Sequence, residues 1–437
     1  MTGHRSRLAT ENDGSPLHAT EVSGMPGWRT LLPVCLTSLT LPIDDAMILP
    51  SLWGYVQELG GDAQVYGWIQ VTYYAARIVS MPTVGFLVGR FSYGMILSSL
   101  LALGLLASLL YAASLTLGGI VTVLLSRALL GVASSASVAS IAYIAEHVPA
   151  EHRRTALSIN FGLQRACIPL APALNVLVVR LPNETLGGFK LTEYTYAGVI
   201  MAALNGLLLL CMLLLQEPPR SRAELSIPTP KVGEIYRTLA RTGAYFSYVM
   251  SFQNNWHNQV MLWTLPIITS QLYPFLGITG NSVLLASGGI VGLLTVCILP
   301  RATRGMADRW VLLISQLSMI VVLGPFALLY GCNLSQPRFW VLCLLFCSYN
   351  APFLAQMPAN NAIYTKLIGA RSQGVYISLL EMSKTAARLI AGYLIGLTYA
   401  SMGPCSLWSI TLGVWAFQFV PFLGNWNRLA ACEASAA

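Results

Sequence analysis

The sequence predicts an all-α membrane protein of twelve spanning helices in two six-helix bundles, and three observations carry that expectation. Of its 437 residues, 55% are hydrophobic and 10% are charged, against roughly 45–50% and roughly 25% in soluble proteins. Apolar runs of about 20 residues, the length that crosses a bilayer, recur along the whole chain and leave no space for a soluble domain of ordinary size. The longest polar connection between such runs, "EPPRSRAELSIPTPKVGEIYRTLARTG", separates six of them from six others.

Taken in order, residues 1–30 are polar, with Gly, Pro and Ser scattered through them. They read as a disordered cytoplasmic tail, without the short apolar core of a signal peptide. Spans 1 to 6 follow at about 31–57, 65–89, 94–115, 119–146, 155–180 and 194–216 and form the N-terminal bundle, 31–216. The Pro content and charge of 217–242 mark a cytoplasmic linker. Spans 7 to 12, at about 243–273, 281–300, 310–331, 338–364, 373–400 and 405–426, form the C-terminal bundle, 243–426, before a cytoplasmic tail at 427–437.

The basic residues orient this plan. With the N-terminus in the cytoplasm, 17 of the 25 Lys and Arg face that side, 3 lie outside (Arg180, Lys190 and Arg338) and 5 lie within spans. The positive-inside rule asks for this asymmetry. The sequons at Asn183 and Asn333 both fall in short outer loops as glycosylation candidates. Cys332 and Cys405 also fall in outer loops, where a disulfide is open to them but not fixed by spacing; the other cysteines mostly sit in apolar runs.

Ionisable side chains are expensive in hydrocarbon, so those present should face protein or water. Eight occur: Asp44 and Asp45 in span 1, Arg77 in span 2, Arg127 in span 4, Arg165 in span 5, and Glu381, Lys384 and Arg388 in span 11. Spans 3, 6, 9 and 12 have none. A period of three in helix number implies two bundles around a central aqueous path, the arrangement in which repeat-built transporters hold substrate near the midplane.

Span 7 carries "SFQNNWHNQVM", with amides or imidazole at Gln253, Asn254, Asn255, His257, Asn258 and Gln259. On a helical wheel Gln253, Asn254, His257 and Asn258 share one broad face, while Asn255 and Gln259 fall on the other side. No single stripe buries all six, which predicts a helix that loosens beside a water-filled cavity. The alternative is interhelical hydrogen bonding to spans 1 and 11, worth about 0.6 kcal/mol per bond. His257 is then either a proton carrier, since free imidazole titrates at about 6.5, or a structural histidine held by amides. Span 10 adds Asn350, Gln356, Asn360 and Asn361.

Asp44 and Asp45 are about 100° apart on a helix, so they address different neighbours. Each is a candidate proton acceptor; structural pairing with Arg77 or Arg127 is the alternative. Glu381, Lys384 and Arg388 share a helix face, where the first two neutralise each other and leave Arg388 with a free guanidinium. Arg127 is either a second free guanidinium or part of a structural or gating salt bridge. Three acids against five bases leave two positive charges in excess, and guanidinium suits carboxylate or phosphate, so an anionic or zwitterionic solute is expected.

Three stretches resemble the major facilitator superfamily. "SRALLGVASSASVASIAYIAEHVPAEHRRTAL" is similar to its fourth helix and following loop, with Arg127 and Gly131 at the Arg-x-x-x-Gly spacing. "GFLVGRFSYG" is a degenerate form of its loop between helices 2 and 3: Arg90 marks the gating loop, but Gly89 stands where an Asp is usual. "ILPSLWGYVQELGG", "VYGWIQVTYYAAR" and "ARSQGVYISLLEMSKTAARLIAGYLIG" resemble the lysosomal branch that includes the neuronal ceroid lipofuscinosis membrane protein. Arg77, Glu381 and Lys384 depart from that branch, so its substrate does not carry over. An Asp ahead of Leu-Pro in span 1 is similar to drug–proton antiporters.

The resemblance implies a secondary transporter working by alternating access on a small solute, possible proton coupling included, in an endolysosomal membrane or alternatively the plasma membrane. Competing expectations are a passive anion channel, a drug–proton antiporter, and a non-transporting receptor or scaffold. No Walker loop, His-Glu-x-x-His, Gly-x-Ser-x-Gly or Cys-x-x-Cys occurs, which argues against an enzyme and gives no cofactor or metal to expect. The basic linker lacks aromatic interleaving, which excludes nucleic acid and favours anionic lipid headgroups. A monomer is expected.

Overall fold

The computed structural model describes residues 34–37, 43–88, 90–148, 160, 164, 167, 169–186, 188–214, 232–303, 305–331, 338–368 and 373–434. Among them, eight helices are long and apolar enough to cross a membrane: Ala63–Val88, Tyr93–Ala112, Ile120–Ile144, Tyr196–Leu213, Pro274–Leu299, Asp308–Gly331, Phe339–Ile368 and Pro404–Gly424. These are spans 2, 3, 4, 6, 8, 9, 10 and 12. Spans 7 and 11 are helices of 28 and 29 residues, Tyr245–Leu272 and Gln373–Ser401, whose amides and charges lower their apolarity. Span 1 is helical at 34–37, 43–48 and Leu52–Glu58 among the described residues, and span 5 includes Pro169–Val178.

The connections add detail that periodicity did not reach. A two-stranded antiparallel hairpin, β1 (Glu184–Leu186) and β2 (Phe189–Leu191), joins spans 5 and 6 with Thr185 opposite Lys190. Asn183 is exposed just before β1; Asn333 and Cys332 lie outside the described residues, and Cys405 is disulfide-bonded. The described end of the linker is a helix, Val232–Thr242, with Glu234 in its first turn and Arg241 in its last, the arrangement its dipole favours. A final helix, Trp426–Ala434, marks what we term the proximal end of the molecule.

Span 4 breaks at Ser134 and Ser135, between Ile120–Ala133 and Ala136–His147. A serine pair bends a helix by bonding back to its own backbone: the Ser134 hydroxyl donates to the Gly131 carbonyl at 2.6 Å. Gly131 itself packs on the Tyr73 carbonyl of span 2, where any Cβ would collide. That close approach carries Arg127, one turn earlier, onto the Tyr73 ring at 4.5 Å.

Spans 3, 6, 9 and 12 present exposed apolar side chains such as Leu109, Leu210, Val321 and Val420. The two halves meet along spans 2 and 11 and along spans 5 and 8. At the distal end, opposite the C-terminal helix, a Cβ on Gly67 would lie 2.8 Å from Gly396 Cα, and Gly392 faces the Gln70 Cβ at the same distance. Tyr66 bridges there as well, donating to the Trp263 carbonyl at 3.1 Å and packing edge-on against Trp53. At mid-height Gly289 of span 8 approaches Pro169 of span 5 to 2.8 Å in the same sense. The largest apolar cluster therefore crosses between halves, joining Met47 and Tyr66 to Trp263 and Ala391.

Candidate functional site

Span 7 does not loosen at its amide cluster. Tyr245–Leu272 is one continuous helix, and Gln253, Asn254, Asn255, Trp256, His257 and Gln259 are all buried, with Asn258 half-buried. A helical wheel with one buried stripe grants such a helix a single protein-facing side. Span 7 has two: one packs on spans 9, 10 and 12 of its own half, and the other on span 11 and, across the centre, on span 2 of the other half.

The first side is a neutral network within the C-terminal half, in which Asn254 Oδ1, Gln316 Oε1, Gln356 Nε2 and Asn360 Oδ1 are buried without partners. Gln253 Nε2 and His257 Nδ1 lie 2.7 Å apart, and His257 Nε2 is 3.1 Å from the Thr411 carbonyl of span 12. Gln316 of span 9 donates to Gln253 Oε1 at 3.2 Å and to Gln356 Oε1 at 3.1 Å. Asn254 donates to the Phe353 carbonyl, and Asn360 to the Ser247 carbonyl and the Ser251 hydroxyl. His257 is thus held between an amide and a backbone carbonyl, with no carboxylate bonded to it among the described residues.

The second side is charged and joins the halves. Arg127 Nη2 donates to Asp45 Oδ1 at 3.0 Å, with Arg127 1% exposed and the Asp45 side chain 22%. Tyr74 stands 3.1 Å from Asp45 Oδ2 and 3.1 Å from Gln259 Oε1, and a phenol has one proton to give. Gln259 Nε2 donates on to Gln70 at 3.4 Å. One turn earlier on span 7, Asn255 Oδ1 accepts from Arg388 Nε at 3.1 Å. The path from spans 1 and 4 through span 2 to span 7 thus turns on one shared proton, which Tyr74 gives either to Asp45 or to Gln259, with span 11 attached at Asn255.

The remaining candidates fall around these two networks. Asp44 turns to span 6, accepting from Asn205 Nδ2 at 3.5 Å, and its Oδ1 is buried without a partner. Lys384 binds Glu381 at 2.6 Å, the pairing their spacing predicts, and Arg77 and Arg388 both act electrostatically on Glu381. Beside Lys384, a cavity with room for about one water reaches Asn254, Asn255, Gln356 and Asn360. Arg127 is not free, yet its Nε and Nη1 are buried without partners. Arg388 has no carboxylate within salt-bridge distance among the described residues. Arg165 lies outside the described residues, and Asn258 makes no hydrogen bond to a described residue. Arg90 is exposed, its guanidinium 4.1 Å over the Phe86 ring.

Tyr74, Gln70 and Gln316 were not among the sequence candidates, and Asn255 and Gln259 had been set apart from the main face. A signal existed for two of them: Gln70, Tyr74 and Arg77 recur at spacings of four and three, one polar face of span 2. For Gln316, a lone amide in an apolar run, there was none.

No curated protein matches this sequence. Solved structures match over nearly the whole chain. A D-xylose–proton symporter aligns with a TM-score of 0.74 at 15% identity, covering 92% of this chain and 97% of that one. The nucleoside transporter NupG aligns at 0.66 and 16%, covering 90% and 99%. A bacterial homologue of the human lysosomal transporter Spinster, inward-facing and occupied, aligns at 0.65 and 12%, covering 94% and 97%. At such identities the likeness is one of fold. The sequence profile of the Major Facilitator Superfamily spans residues 34–392. An integral, multi-pass membrane protein built on this plan is a transporter, not an enzyme, and the chain belongs to the Major Facilitator Superfamily.

Proposed function

We propose that this transporter moves a small anionic or zwitterionic solute by alternating access, coupled to protons through Asp45. The observation that carries the reading is the Tyr74 hydroxyl, 3.1 Å from both Asp45 and Gln259, whose one proton goes either to the Arg127–Asp45 ion pair of one half or to a helix of the other. Protonating Asp45 removes the charge that holds Arg127, and Arg127 then has its whole guanidinium for a carboxylate or phosphate. Arg388, held by an amide and not by an acid, supplies a second cation across the centre. Gln259, Asn255 and Gln70 orient the solute; Glu381, Lys384 and Arg77 keep the proximal approach polar. Asp44, Arg165, Gln253, Asn254, His257, Asn258, Gln356 and Asn360 complete the expected lining. Release follows when the distal seam at Gly67 and Gly396 exchanges for a seam at the proximal end.

Uptake into proteoliposomes of purified protein tests this. We expect saturable, acid-stimulated uptake of an anion, with Arg388→Ala lowering it about tenfold and Asp45→Asn removing the pH stimulation. Unaltered transport in Arg388→Ala, or unitary currents in a planar bilayer, would sink the carrier reading. The termini face the cytoplasm, and the N-terminal tail, linker and C-terminal tail lie on that side, where the basic linker meets anionic lipid. The resemblance in spans 1, 2 and 11 favours the lysosomal branch and an endolysosomal membrane; a surface-exposed pool detected by biotinylation would favour the plasma membrane.

A second reading rests on the amides. Gln259, Gln70 and Asn255 suit hydroxyl groups, and the symporter above is a xylose carrier. Under it, neutral sugars compete with the anion for uptake.

A further inference from the structure

Spans 2 and 11 face each other along the seam between the halves, and three contacts fix their antiparallel register. Gly67 lies against Gly396, Gln70 against Gly392, and Met81 against Thr385, whose hydroxyl is 4.0 Å from the Met81 sulfur. Between the second and third of these levels, span 2 places Arg77 and span 11 places Arg388. Both belong to the contacting faces: positions 67, 70, 74, 77 and 81 recur at spacings of three and four, as do 385, 388, 392 and 396.

Two guanidiniums of like charge therefore stand at one level of the seam, one from each half, and both act electrostatically on Tyr74 and on Glu381. Neither is compensated. Glu381 binds Lys384 at 2.6 Å and Asp45 binds Arg127 at 3.0 Å, which leaves Arg77 and Arg388 with no carboxylate in salt-bridge distance among the described residues. The Arg77 guanidinium makes no hydrogen bond to a described residue, and its Nε is buried. Arg388 uses Nε alone, on Asn255 Oδ1 at 3.1 Å. The Nη atoms of both are neither bonded nor buried, so each half turns the open end of a fork to the seam. Two like charges this close in a low-dielectric seam repel, and offsetting them takes two negative charges.

We propose that the solute carries two acidic charges and bridges Arg77 and Arg388, one guanidinium from each half. The inference rests on the anionic reading above and narrows it. A monocarboxylate neutralises one fork, whereas a dicarboxylate or a phosphate monoester neutralises both, with oxygens to accept from each planar set of donors. Arg77 thereby joins the solute contacts, and the bridge forms without a proton on Asp45. An empty site pushes spans 2 and 11 apart at this level; an occupied one draws them together.

Anions matched in shape but not in charge test this on the purified full-length protein. Succinate is set against butyrate, and phenyl phosphate against phenyl sulfate, at slightly alkaline pH where the phosphate is mostly doubly charged. The melting temperature should rise saturably with a dianion, and the matched monoanion should need about tenfold more for the same rise. Arg77→Gln and Arg388→Gln should each raise the half-saturating concentration of the dianion to that of the monoanion. Arg77→Lys, which keeps the charge without the fork, should restore part of the difference. A response to succinate alone assigns a dicarboxylate, and one to phenyl phosphate alone a phosphate monoester. Matched dianions and monoanions acting alike, or an undiminished dianion preference in Arg77→Gln, overturns the bridge and leaves the anionic reading standing. Stabilisation by no anion, with none taken up into proteoliposomes, overturns the anionic reading and the bridge with it. Should Arg77→Gln not fold, Arg388→Gln and Arg77→Lys decide the matter with the same anion pairs.

Discussion

The two halves share a helical plan but bury different chemistry. The N-terminal half buries charge: Asp45 and Arg127 form an ion pair, with Arg127 stacked on Tyr73. The C-terminal half gathers neutral groups beside span 7, where Gln253 and His257 are satisfied while Gln316 Oε1 and Gln356 Nε2 are buried without partners, and keeps its charges, Glu381, Lys384 and Arg388, on span 11. The charged network ends at the other half, through Tyr74 and Gln259, whereas the neutral one stays inside its own. A network within one half holds helices together. One that crosses a seam feels the seam move.

Packing at the edges differs in parallel. Gly198 lets spans 3 and 6 meet backbone to backbone, a Cβ on it falling 2.7 Å from the Ala112 nitrogen, and Gly104 makes room for the Asn205 side chain. Span 12 meets its half through large side chains such as Trp408, packed on Gly331, and Trp415, which donates to the Gln316 carbonyl.

The contrast is broken most forcefully at the ion pair. Arg127→Met leaves Asp45 without its cation in a largely buried site, which costs about 3–5 kcal/mol, discounted for the partial exposure of Asp45. We expect transport to fall at least about a hundredfold and the melting temperature to drop, with Arg127→Met/Asp45→Asn recovering much of the stability but not the transport. Equal melting temperatures for the single and double variants would show that the pair is not a unit.

A smaller effect is expected at the seam. Gly396→Leu inserts a side chain where Gly67 Cα and the Ala63 carbonyl are each 3.0 Å from a Cβ. Overpacking of this kind costs about 1–3 kcal/mol, here only in the distally closed state. Cysteine pairs placed across the distal end should cross-link about tenfold more slowly, and unchanged cross-linking would remove the seam from the transport cycle.

The neutral network should answer differently. Gln316→Leu removes the donor shared by Gln253 and Gln356, and an unmade buried hydrogen bond costs about 1–3 kcal/mol. The expected readout is a lower melting temperature with the pH dependence of uptake intact; an altered pH profile would assign His257 a coupling role after all. Smallest is Lys366→Ala, which removes the partly exposed bridge to Asp308 at 2.7 Å. Such pairs are worth about 0–1 kcal/mol, so a melting shift comparable to that of Gln316→Leu would mean the bridge is coupled to its surroundings.

Much of the fold was legible because membrane helices announce themselves. Length and apolarity suffice for spans such as Tyr196–Leu213, and the absence of charge in spans 3, 6, 9 and 12 marked the outer faces. The site was legible in composition but not in pairing. Adjacent Asp44 and Asp45 had to address different neighbours, yet which one met Arg127 depended on how far Gly131 lets span 4 sink onto span 2.

By itself, then, the sequence determined the class, the count of spans and the inventory of costly groups, since each follows from the price of putting a residue type in hydrocarbon. Only tertiary structure decided who satisfies whom. Span 7 shows the reason: a wheel records the direction of a side chain, but whether that direction ends in lipid, water or another helix is set by elements distant in the chain, here Gln70 and Tyr74 on one side and Gln316 and Thr411 on the other.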